Sequence, residues 1–205
     1  MPDKTHWDRI YSSQLADRVG WYQAKPDLSL RMIIGNGLDI HSRIIDVGCG
    51  ASRLLGCLLD LGYTHLTGLD FSSQALHIAQ VQLGERAGQV TWIEGDITQV
   101  ELPVDGFGIW HDRAVFHFFT KLEDRQKYAA TLRQALAPGG AAILATFAPD
   151  GPERCSGLDV RCYDAAGLLA ELGPGFVLEE ELGETHITPG GGRQAYTFAR
   201  FRKTD

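Results

Sequence analysis

Short apolar runs alternate with longer stretches of helical spacing along most of the chain. Residues 43–47 (RIIDV), 65–69 (HLTGL), 89–94 (QVTWIE), 107–112 and 141–147 (AAILATF) read as strands. Between them, 52–61 carries Leu54, Leu55, Leu58 and Leu59 on one helical face, and 73–86 predicts a second helix. An amphipathic helix over 122–137 should stop at Pro138 and Gly139. Strands separated by helices of this length imply a parallel sheet with helices on both faces. The tail changes pattern: 175–184 and 193–201 are strand-like and flank TPGGG, a turn that closes a hairpin. The expected fold is α/β, a Rossmann-like, doubly wound seven-stranded sheet, mostly parallel, with a C-terminal antiparallel β-hairpin strand.

The whole of 1–205 is expected to form one domain. Residues 1–40, with Trp7, Tyr11, Trp21 and Tyr22, should be a helical cap, 41–150 a ligand-binding core, and 151–205 a substrate-side loop, helix and hairpin. A net charge of -7 argues against general affinity for nucleic acid or anionic membranes. The polar start and the lack of a long apolar run point to a cytoplasmic protein. The four cysteines form no C-x-x-C pair, so no metal is expected. A monomer or homodimer is expected.

The chemistry begins at VGCG, residues 47–50. In a doubly wound sheet, ligands bind beyond the carboxyl ends of the strands. Gly48 and Gly50 let backbone approach a ligand closely. The P-loop lysine is missing, which removes nucleotide hydrolysis, and Ser52-Arg53 replaces the end of a dinucleotide G-x-x-G. Asp46, just before the glycines, would repel a pyrophosphate but suits an ammonium. Asp70 ends the second strand, where a carboxylate can take ribose hydroxyls. Asp96 follows the third strand and could accept from an adenine amino group. Three acids at successive strand ends fit an adenosine that carries a cationic amino acid and no phosphate, which is S-adenosylmethionine (AdoMet).

IIDVGCG, LTGLDFS, EGDI and LAPGGAAILATF resemble, in order and spacing, the motifs of class I AdoMet-dependent methyltransferases over residues 40–150. The resemblance implies that Asp46, Gly48, Cys49 and Gly50 cradle the methionine part. It places Asp70 on the ribose, Phe71 beside the adenine, and Asp96 and Ile97 at the adenine edge. Trp7, Tyr11 and Trp21 would cover the cofactor or box its sulfonium.

For the acceptor, the segment after the fourth strand, WHDRAVFHFF, lacks the [DN]-P-P-[YF] turn usual in nucleic-acid amino methyltransferases. It is similar to the same region in the thiopurine S-methyltransferase and thiol/halide methyltransferase group, through Asp112-Arg113 and Arg125-x-x-Tyr128, and the tryptophan-rich start agrees. That similarity implies direct in-line transfer to a small soft nucleophile: a thiol, sulfide, selenium species or halide. Arg113 would help form thiolate, and His111 or His117 would serve as base, beside Asp112. Simpler structural roles stand next to these: an Asp112–Arg113 pair or a cap, and a core position for His117 among aromatics. His186 is expected at the surface. A protein lysine N-methyltransferase is the alternative, although Val115 stands where that group carries an aromatic. A non-catalytic AdoMet-binding protein is the third possibility.

Overall fold

The computed structural model describes residues 4–204. Five strands, β1 (Ile44–Val47), β2 (Leu66–Asp70), β3 (Val90–Glu94), β4 (Phe107–Arg113) and β5 (Leu136–Phe147), alternate with helices. They are followed by β6 (Phe176–Ile187) and β7 (Arg193–Lys203). The spatial order is β3-β2-β1-β4-β5-β7-β6. β1 through β5 pair in parallel, and β7 is antiparallel to both β5 and β6. This is the Rossmann-like, doubly wound sheet with a C-terminal antiparallel hairpin that the alternation and the changed tail predict. A minor ribbon, Arg154–Cys155 with Leu158–Asp159, follows β5.

Helices α1 (Lys4–Ser13) and α2 (Asp27–Ile34) precede the sheet. Helices α3 (Leu54–Asp60), α4 (Ser73–Leu83), α5 (Leu122–Ala135) and α6 (Ala165–Leu172) are interspersed with the strands. β1 and β2 are buried on both faces, as a helix-covered parallel sheet requires. One core packs Trp110, Tyr128, Leu132 and Leu168 beneath α5 and α6. The other packs Met32, Ile33, Leu54, Leu58, Ile109 and Phe198 beneath α2 and α3. α4 starts where Ser72 Oγ accepts the Ala75 N–H, and α6 where Asp164 accepts the Gly167 N–H.

Two boundaries differ from the sequence expectation. α5 stops at Ala135, before Pro138, and β5 begins at once at Leu136. A proline drives the preceding residue into extended backbone, so the helix cannot reach the proline itself. α4 ends at Leu83 because Gly84 takes a φ of 59°, and a 3-10 turn, Gly84–Gln89, fills the remainder. No helix among the described residues is long and apolar enough to cross a membrane.

Candidate active site

The sheet order reverses between β1 and β4, and the crevice opens at their carboxyl ends. Two adjoining cavities lie there, sharing Trp21, Gly48 and Arg113. The larger runs from Asp70 and Phe71 after β2 and Ile97 after β3 to Ala114, Val115 and Phe118 after β4. Trp7, Tyr11 and Trp21 line it from the cap, and Cys155 from the loop after β5. The second holds Asp46, Cys49, Gly50, Ser52 and His111, with Gln23 and Ser29 from the cap.

The glycine loop is shaped by what touches it. Gly48 has φ +63°, and a Cβ there would overlap the Val115 side chain. Gly50 has φ +54°, and a Cβ there would collide with the Tyr11 hydroxyl. The Gly50 N–H donates to Asp70 Oδ2 (2.7 Å), and the Ser72 N–H to Asp70 Oδ1 (2.8 Å). Asp70 thereby ties two loops together, while burial pushes its carboxyl up to about 6. Cys49 is buried, and its thiol is pushed well up by the same cause.

Asp46 and His111 are register partners on β1 and β4, so their side chains leave the same face of the sheet. His111 Nδ1 lies 2.7 Å from Asp46 Oδ1, and Nε2 lies 2.9 Å from Ser29 Oγ on α2. Asp46 Oδ2 is buried without a hydrogen-bond partner.

One residue further along β4, Asp112 points to the opposite face. The N–H groups of Val115 (2.9 Å) and Phe116 (3.1 Å) donate to it, as does the Tyr128 hydroxyl (2.6 Å). Trp110 Nε1 donates in turn to that hydroxyl (2.9 Å). Asp112 is fully buried, and burial raises its carboxyl to about 6. It does not reach either cavity, nor does it pair with Arg113. His117 is also absent from both cavities. It is buried against Phe118 and Phe147, the Phe147 N–H lies 3.4 Å from its Nδ1, and burial drives its pKa down to about 3. A base role needs access and a pKa nearer neutrality, and His117 has neither. Asp96 turns back on its own loop, accepting from the Thr98 N–H (2.8 Å) and Gln99 Nε2 (2.9 Å), while Ile97 faces the larger cavity. His186 is not a surface residue: it is buried, with Nε2 at 2.9 Å from the Gly20 carbonyl.

Arg113 does reach both cavities. Its Nη1 donates to the Trp21 carbonyl (3.0 Å), and its guanidinium stacks 4.7 Å above the Tyr196 ring. Nη2 lies 3.7 Å from Glu184, too far for a hydrogen bond, and Nε and Nη2 are buried with no hydrogen-bond partner. Ala114 next to it has φ +69°, strained backbone of the kind that gathers at functional sites. Sequence reasoning missed Ser29 in the cavity. No local signal marks it, since it arrives by tertiary folding from outside the core motifs. The Cys155 thiol is pushed up to about 11 by burial.

Residues 44–140 match a family described as a methyltransferase domain. The chain is 24% identical over 217 residues to EEF1A lysine methyltransferase 2 of Danio rerio, covering 98% of this chain and 87% of that protein. It is 24% identical over 148 residues to the Danio rerio eEF1A lysine and N-terminal methyltransferase, but spans only about a fifth (21%) of that protein's length and 71% of its own. A structure described as "Conversion of a Disulfide Bond into a Thioacetal Group during Echinomycin Biosynthesis" superposes with a TM-score of 0.79 at 19% identity, covering 98% of this chain and 93% of the other. The 1,6-didemethyltoxoflavin-N1-methyltransferase of Burkholderia thailandensis, solved with S-adenosylhomocysteine, gives 0.72 at 20% identity, covering 96% and 81%. The chain carries a methyltransferase domain on the fold of AdoMet-dependent methyltransferases, with AdoMet as its cofactor. The residues present fit that ligand: the Gly48–Gly50 loop leaves no room for a Cβ, and a carboxylate oxygen of Asp46 lies buried and unpaired beside it.

Proposed function

We propose that this enzyme methylates a small acceptor at a soft nucleophilic atom, such as a thiol, sulfide, selenium species or halide. The observation that carries this reading is Arg113, a guanidinium whose Nε and Nη2 have no hydrogen-bond partner, with Glu184 3.7 Å from Nη2, in a cavity otherwise lined mainly by aromatic and aliphatic groups. AdoMet supplies an electrophilic methyl on a sulfonium, so the chain must align the acceptor and keep water out. Trp7, Trp21 and Phe118 pack edge to face across the cavity and exclude solvent. Arg113 favours an anionic nucleophile and lowers the cost of forming thiolate there. An acceptor that arrives as an anion needs no base. That agrees with a His111 whose two ring nitrogens are both engaged and a His117 outside the cavity. The similarity of the HDRAVF segment to the thiopurine and thiol/halide group supports the same reading.

The cofactor roles belong to this proposal. Asp46, Gly48, Cys49 and Gly50 surround the amino-acid end. Asp70 and Phe71 take the ribose and adenine, and Ile97 the adenine edge, with Asp96 shaping its loop. Trp7, Tyr11 and Trp21 form the cover.

Protein lysine methylation is the second reading, favoured by the names of the curated relatives. Arg113 disfavours it, because a guanidinium repels a lysine ammonium, and among the described residues Asp70 is the one carboxylate lining the larger cavity. The test is release of S-adenosylhomocysteine against thiols, sulfide, selenite, iodide and small amines. Turnover with a soft acceptor should fall about a hundredfold or more in Arg113→Ala, the order expected for loss of a preorganised charge in a dry site. Silence across the panel, with radiolabelled methyl entering lysate proteins, would establish the lysine reading instead.

A further inference from the structure

Asp46, His111 and Ser29 form a continuous buried chain from the glycine loop to the cap: Asp46 Oδ1 to His111 Nδ1 at 2.7 Å, and Nε2 to Ser29 Oγ at 2.9 Å. We propose that Ser29 and His111 are positioning residues. They hold the Asp46 carboxylate so that its free oxygen receives the α-ammonium of AdoMet, and they tie α2 to the amino-acid end of the cofactor.

Three observations carry this. A carboxylate oxygen 2.7 Å from Nδ1 requires the proton on that nitrogen, so His111 donates to Asp46. Nε2 can then either accept the Ser29 hydroxyl proton or donate to its oxygen, and the serine fixes the ring in both cases. Next, Asp46 Oδ2 is buried and unpaired, while both oxygens of Asp112, one pleat away on the neighbouring strand, are fully engaged. A carboxylate with a purely structural duty has no reason to leave one oxygen bare, which is costly when buried. Finally, Asp46 lines a cavity together with Gly48, Gly50 and Ser52, and an ammonium seated there is the charge its carboxylate would satisfy.

His111 then orients the cofactor rather than moving a proton at the acceptor, which rests on the proposed place of Asp46 at the amino-acid end but not on the acceptor used. This role is tested by calorimetric binding of two ligands, S-adenosylhomocysteine and 5′-methylthioadenosine, which lacks the amino-acid part. His111→Phe should weaken S-adenosylhomocysteine roughly ten- to hundredfold, and Ser29→Ala about three- to tenfold, the scale of lost hydrogen bonds to a charged group and at one remove from it. Both should leave 5′-methylthioadenosine within about twofold of the unmodified enzyme. His111→Asn, whose amide can restore a donor towards Asp46, should recover part of the loss. Equal weakening of both ligands would mean a general structural role and overturn the proposal, as would unchanged affinity for both. Thermal unfolding monitors integrity; should His111→Phe fail to fold, Ser29→Ala decides alone by the same ratio.

Discussion

Asp70 and Asp112 stand at the ends of β2 and β4, on either side of β1, and both carboxyls are pushed up to about 6 by burial. Their surroundings separate them. Asp70 accepts two backbone N–H groups from two loops and still borders the larger cavity. Asp112 accepts two N–H groups and a tyrosine hydroxyl, and no part of it is exposed. A strand-end carboxylate first organises the loop that follows it. It becomes a ligand group only where the fold leaves one of its lone pairs facing open space.

Asp112 should show the larger effect of the two. Asp112→Ala strands the Tyr128 hydroxyl and two backbone donors in the core, and should cost about 3 kcal/mol or more. The urea midpoint reports that loss. The affinity of the folded protein for S-adenosylhomocysteine should change little, and a large loss of affinity at unchanged stability would reverse the two roles. Asp70→Asn should do the opposite. It keeps an acceptor for one loop N–H but loses the charge, so affinity should fall about tenfold by calorimetry, with a smaller change in stability.

A pH series sharpens the contrast further. Asp70 is protonated in the folded protein below about 6, whereas its ordinary value is 3.8. A ligand that donates to the ionised carboxylate must therefore bind more weakly as pH falls through 6. A loss of a few-fold between about pH 7 and 5 is expected, and it should vanish in Asp70→Asn. Without ligand the sign is reversed. The folded state binds the extra proton between 3.8 and about 6 at Asp70, and likewise at Asp112, so these two groups make the protein less stable as pH rises across that window.

The strands, the glycine loop and the acids at the strand ends were legible because they are local: a short apolar run, a breaker, a charge beside an apolar run. Asp96 was legible as a strand-end acid, but not as a group consumed by its own turn. The rest depends on distant segments meeting. Ser29 and His111 are 82 residues apart, and nothing near either announces the other. His186 read as a surface residue beside a polar turn, yet β6 folds it beneath the loop that carries Gly20. The alternation of β4 does explain one pair: His111 and Asp112, adjacent in sequence, must serve opposite faces.

The order of the strands also has a consequence for synthesis. β7 lies inside the sheet, between β5 and β6, although it is made after both. Phe147 must wait for Tyr196, and Ala141 for Arg202, before the free edge of β5 is paired. A ribosome-bound chain that ends before the TPGGG turn therefore carries an apolar, ladder-ready edge that only the missing strand can close. The core that binds the cofactor is translated first, but the protection of its sheet from its neighbours in a polysome arrives with the last strand.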